Sequence, residues 1–218
     1  MRSTAVAGLA TLMLGCASGR APEAGQGMGS GSVLALTPLG SMAGHPVLVL
    51  PVQRNVIVID QTLDQAAAMD GWKFLAALDD SITSALSTRG LGGVWTFAQA
   101  ITASARRNGG LVADPHALAA GGLQRLLKAG DDPLSEPLPS QIRSLVALRD
   151  GRYAILPAAV RFSDHPGGTR GTLVVYLVDS RTARIAWSGE VTSDVSPRFS
   201  SAMAGSIAER LADLVVAR

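Results

Sequence analysis

Apolar positions change their spacing along the chain, and the changes mark out its elements. Pro46 to Val52 (PVLVLPV) is a short, nearly continuous apolar run that predicts a buried strand, and Val56 to Asp60 predicts its continuation or an edge. From Asp70 the period lengthens. Leu75, Leu78, Ile82 and Leu86 recur three or four residues apart with Asp79, Asp80 and Ser84 between them, an amphipathic helix stopped at Arg89-Gly90. Val94-Trp95-Thr96 predicts a short strand, and Ala98 to Arg107 a helix closed by Asn108-Gly109-Gly110. Asp114-Pro115 predicts an N-cap and first-turn proline ahead of Leu118, Leu123, Leu126 and Leu127.

The carboxy-terminal half is more regular. Asp131 to Pro139 is an acidic, proline-rich connector, and Gln141 to Arg149 a short helix. Tyr153 to Phe162, Thr172 to Asp179 and Arg184 to Thr192 predict three strands in an antiparallel meander. The middle one is apolar on both faces, so it is central, and Pro157 makes its neighbour an edge strand or a bulged one. Ile185, Trp187 and Val191 share one face of the third strand, with Trp187 read as core. Met203, Ile207, Leu211, Leu214 and Val215 line one side of a terminal helix that packs on the sheet. The class expected is α/β to α+β, a single domain over 44–218 with a mixed sheet, a three-strand antiparallel meander and helices packed on the sheet.

Composition narrows the class further. Of 218 residues, 47% are hydrophobic and 17% charged, which excludes a disordered chain. The net charge of +2 is thinly spread and 17 of the 19 basic residues are Arg, so no nucleic-acid footprint is read. One cysteine excludes a disulfide framework.

The amino terminus is the most informative segment. Met1-Arg2 is a positive n-region and Thr4 to Leu14 an apolar h-region, about half the length that a spanning helix needs. Residues 1–15 are therefore expected to be a signal peptide. Met13-Leu14-Gly15-Cys16 resembles the lipobox of bacterial lipoproteins, departing from it at Met13 and Leu14, with cleavage between Gly15 and Cys16 and lipidation of Cys16. Twelve of the sixteen residues from Ala17 to Ser32 are Gly, Ala, Ser or Pro, so 16–43 is expected to be a lipidated flexible tether.

Candidate chemistry is sparse. His45, His116 and His165 lie in separate segments beside a proline or a turn, with no helical partner, and are read as surface turn residues rather than metal ligands. No nucleophile elbow is present. Asp79-Asp80 reads as a solvated helix face and Asp131-Asp132 as loop charge. Arg106-Arg107 complements a helix dipole. Trp72, Trp95 and Trp187 are too scattered for a stacking platform. No catalytic residue, metal ligand or cofactor is assigned, and the partner-binding residues are left open.

Leu173 to Val191 resembles the paired strands of bacterial envelope lipoproteins with a TolB amino-terminal-like α/β domain, the type of penicillin-binding-protein activators and the curli-secretion lipoprotein. The residues that carry the resemblance are Asp179 at the end of a hydrophobic strand, the turn Ser180 to Ala183, and Trp187-Ser188-Gly189 on the return strand. Pro46 to Val52 resembles the opening strand of that family and the terminal helix also fits. The resemblance implies a binding or assembly module of the envelope rather than a catalyst. The reading is a lipid-anchored, periplasm-facing module, with the outer membrane favoured over the inner. Its expected partners are the membrane through the lipid and an envelope protein or a second copy, with no nucleic acid. The alternatives are an envelope hydrolase assembled from scattered Ser, His and Asp residues, and a site for a small ligand or peptide.

Overall fold

The computed structural model describes residues 37–54, 57–58, 65–125 and 133–217. The signal peptide, Gly15, Cys16, most of the tether, Leu126, Leu127 and Asp131-Asp132 lie outside them. A five-stranded mixed sheet carries helices on both faces, the α+β single domain expected.

The strands are β1 (Val47–Val49), β2 (Ile57–Val58), β3 (Tyr153–His165), β4 (Gly168–Asp179) and β5 (Arg184–Thr192). β1 and β2 both run parallel to β3 along the same side of it, with Val47 opposite Tyr153 and Ile57 opposite Val160. β3, β4 and β5 form the antiparallel meander, and β4 is buried along most of its length as its two apolar faces require. The first hairpin turns on Pro166-Gly167, so both strands run further than the turn-rich sequence between them indicated.

Pro157 sits at a bulge, since the β3–β4 register shifts between Pro157 and Ala159. It is not on an edge strand. Proline is tolerated inside the sheet because β1 has ended at Val49 and β2 has not begun, so no strand there needs its missing N–H. The Pro157 carbonyl still accepts the Gln53 N–H at 3.0 Å.

The helices are α1 (Gln65–Thr88), α2 (Ala98–Arg107), α3 (Leu138–Ala147) and α4 (Ser201–Asp213). On one face of the sheet, Leu78, Ile82 and Leu86 of α1 and Met203, Ile207 and Leu211 of α4 close over Leu173, Val175 and Leu177. Full burial of each such side chain contributes roughly 1.5–3 kcal/mol. On the other face, Ile142 and Leu145 of α3 and Ile101 of α2 cover Leu156, Val174 and Tyr176. α1 stops where expected, with Gly90 in the left-handed region at φ 85°. Arg89 bonds the Val216 carbonyl, Glu209 at 3.1 Å and Asp213 at 2.8 Å, which fixes the end of α1 to the end of the chain. Ser200 caps α4, its Oγ accepting the Met203 N–H at 3.2 Å.

The ordered domain takes in more than 44–218. Leu39, read as tether, is 1% exposed in the core and its N–H donates to the Leu214 carbonyl at 2.9 Å.

The helix expected from Asp114-Pro115 does not form. Asp114 instead accepts the His116 N–H at 3.0 Å, a side-chain turn, and only a 3-10 segment follows over Ala120–Arg125. Distant glutamines take the backbone groups that a helix would have paired. Gln53 accepts the Leu118 N–H and donates to the Pro115 carbonyl, and Gln141 accepts the Ala119 N–H, all at 2.8 Å.

Candidate functional site

The chain leaving β1 is held by a buried glutamine. Gln53 is 0% exposed, and its amide donates to the carbonyls of Pro51 and Pro115, both at 2.8 Å, while accepting from Leu118. Arg54 continues the match, its N–H donating to the His116 carbonyl at 2.9 Å. The loop of residues 113–118 is thereby locked beside the carboxyl end of β1. Parallel strands commonly open onto ligand crevices at this end.

A cleft of about 430 Å³ lies at that place, between facing stripes of α1 and α2. Its α1 wall presents Trp72, Ala76, Asp79 and Asp80, one and two turns apart, and its α2 wall Gln99, Thr102, Ala103 and Arg106. The small side chains Ala76, Ala98 and Ala103 leave the space between the helices open. Arg54 and His116 close one end, and a second cavity of about 270 Å³ shares Arg54, Thr102, Arg106 and His116 with the first.

Asp79 is the unusual group. Its Oδ1 accepts the Val52 N–H at 2.8 Å, and burial pushes its carboxyl up to about 7 against the pull of that bond. The solvated-face reading of Asp79-Asp80 therefore holds only for Asp80, which is exposed. Asp79 points off the apolar stripe of α1, but the strand end 27 residues earlier packs over it. Arg54 lies over the Trp72 ring, 5.5 Å from its centroid, and Trp72 is 49% exposed at the mouth.

His116 is not a surface turn residue. Its side chain is 16% exposed, and burial, then the Arg54 charge, lower its pKa against the pull of Asp114. Its Nδ1 lies 3.3 Å from Asp114 Oδ1. The hydroxyls that line the cleft are Thr83, whose Oγ1 donates to the Asp79 carbonyl at 2.9 Å, and Thr102. No serine lines it. The three-part arrangement of a serine hydrolase is thus not assembled there among the described residues.

The other candidates fall elsewhere. His45 packs edge-on to Tyr153, 6.1 Å between ring centroids, and His165 is exposed at the end of β3. Arg107 donates to Ser104 Oγ at 3.1 Å, whereas Arg106 enters the cleft. Trp95 is buried and its indole N–H donates to the Met42 carbonyl at 3.3 Å. Trp187 is half-buried against the α1–α4 side of the core. Ile185 faces the opposite side, because a register shift between β4 and β5 at Leu177/Val178 turns the strand over between them. No group of three or more His, Cys, Asp or Glu that could hold a metal occurs among the described residues. No helix among them is long and apolar enough to cross a membrane.

No protein-family model and no curated protein matches the sequence. Solved structures do align with it. The LpoB C-terminal domain from Escherichia coli is 16% identical over 73% of this chain and 95% of its own, with a TM-score of 0.31. Lipoprotein GNA1162 from Neisseria meningitidis is 15% identical over 72% and 84%, at 0.36. The PelC dodecamer from Paraburkholderia phytofirmans is 12% identical over 79% and 88%, at 0.34. One of these neighbours, GNA1162, is a lipoprotein, and the likeness is at a distance too great to carry residue roles across.

Proposed function

We propose that this chain is a lipid-anchored, periplasm-facing module of the bacterial envelope that binds or assembles with a protein partner and catalyses no reaction. The observation that supports this reading is the placing of the one cysteine. Cys16 follows the eleven-residue apolar stretch Thr4 to Leu14 after a single Gly15 and precedes a Gly-, Ala- and Ser-rich segment, after which the folded domain begins. Cleavage before Cys16 leaves that residue at the new amino terminus, where three acyl chains exceed the two signals that stable attachment needs. The sixteen residues from Ala17 to Ser32 then give an r.m.s. reach of roughly 22 Å, which keeps the domain near the membrane surface, the outer membrane by preference. Confinement within that distance supplies up to millimolar local concentration for a weakly docking envelope partner or a second copy.

Crosslinking in intact cells, followed by mass spectrometry, tests the proposal. An envelope protein or a second copy of this chain should be captured by the wild type and much less by Cys16→Ala at matched expression. Equal capture by the unanchored form would separate docking from anchoring. Turnover of an envelope substrate by the purified chain, abolished by one Ser or His substitution that leaves folding intact, would overturn the non-enzymatic part.

A further inference from the structure

We propose that the α1–α2 cleft binds a short zwitterionic peptide, with its ammonium group at Asp79 and Asp80 and its carboxylate at Arg54 and Arg106. The site goes beyond the anchoring and docking reading and stands independently of it.

Charges of both signs line this cleft without closing an ion pair. Among the described residues neither Asp79 nor Asp80 forms an ion pair, and neither do Arg54 and Arg106. Asp79 and Asp80 line only the first cavity, whereas Arg54 and Arg106 line both, so the cations stand toward the shared end of an open space, a spread of charge that matches a ligand carrying both charges itself.

The carboxylate of Asp79 is the costliest feature. A partly buried ionised group without a counter-ion in contact is normally neutralised or paired when desolvation exceeds what one backbone hydrogen bond returns. Asp79 has that one bond, to the Val52 N–H, and its remaining acceptor capacity is left for a donor that arrives in the cleft. An ammonium group brings three donors and the missing positive charge.

The shared end of the two cavities suits a carboxylate. Arg106 projects from the last turn of α2, and Arg54 is laid over Trp72, which fixes the guanidinium without consuming its charge. A planar guanidinium presents paired N–H donors to a carboxylate. On the α2 wall, the side chains of Gln99 and Thr102 offer amide and hydroxyl groups of the kind that peptide bonds engage, and Ala76 and Ala103 on the facing walls leave room for small side chains. The volume of about 430 Å³, with the adjoining 270 Å³, lies in the range of roughly 300–1,000 Å³ typical of small-ligand sites, enough for two or three residues.

The test is calorimetric titration of the full-length chain in mild detergent at pH 8, where Asp79 is largely ionised, with trialanine, N-acetyl-trialanine and trialanine amide. Saturable binding of free trialanine is expected, weakened at least tenfold by capping either end. Asp79→Asn keeps an acceptor for the Val52 N–H, so it should stay folded by circular dichroism while losing at least tenfold in affinity. Arg106→Gln should lose a similar factor for free trialanine and little for the amide. Equal affinity for free trialanine and for either capped form would overturn the proposal, as would failure of trialanine to bind at millimolar concentration. Neither result would bear on lipidation of Cys16.

Discussion

The indole of Trp187 lies across Gly189 on β5: a Cβ added at Gly189 would come within 2.5 Å of both Cζ2 and Cη2 of the ring. The spacing of Trp187-Ser188-Gly189 follows from this contact, since the ring folds along its own strand over the next residue on its face. Gly189→Ala should therefore cost about 1–3 kcal/mol, the range for overpacking. In a Trp187→Ala background the same change should be nearly neutral, and thermal or urea unfolding of the four variants gives the coupling. Full additivity would show that the ring does not need the glycine.

Asp79 makes stability depend on pH in an uncommon direction for a carboxylate. Its folded-state pKa of about 7 lies above the ordinary value of 3.8, so the native state holds the proton more tightly than the unfolded chain does. The stability this contributes is complete below about pH 4 and is lost as pH rises to about 7, on the order of 4 kcal/mol in all. Asp79→Asn removes the titration and keeps an acceptor. The variant should be more stable than wild type by about 2–4 kcal/mol at pH 8 and nearly equal to it at pH 4, as denaturant unfolding at the two pH values would read. A constant difference across that range would contradict burial as the cause.

Gln53 should be among the most sensitive positions in the domain. Gln53→Leu keeps the bulk but strands the Pro51 and Pro115 carbonyls and the Leu118 N–H, and each unsatisfied buried group costs about 1–3 kcal/mol. A loss of at least about 3 kcal/mol is expected, together with faster amide exchange at Leu118. An unchanged melting temperature would show that the 113–118 loop is held by other contacts.

The parts of the fold that rest on local periodicity were legible in the sequence. The bounds of α2 and β5 and the end of α1 follow from apolar spacing and from the stops at Gly90 and Asn108, because those signals and the packing agree. The candidate cleft was not legible, since long-range contacts make it. Asp79 occupies a polar position on its own helix and is partly covered by Val52, and Gln53 looks like the polar end of a strand until the 113–118 loop closes around it. Gln53 at the Leu118 N–H and Gln141 at the Ala119 N–H explain why a good N-cap at Asp114 opens no helix. Ile185 and Trp187 were placed on one face by strict alternation, which a bulge breaks without any mark in residue type. Arg106 carried a sufficient local explanation as a helix-end cation, which hid its place in the cleft.

Metabolic labelling with an alkyne fatty acid tests the central claim most directly. The wild-type chain should incorporate the label and fractionate with membranes, and Cys16→Ala should do neither, because no second cysteine exists to take an acyl chain. A Cys16→Ala chain that stays labelled and membrane-bound, or a wild-type chain released unlabelled into the periplasm, would contradict the account.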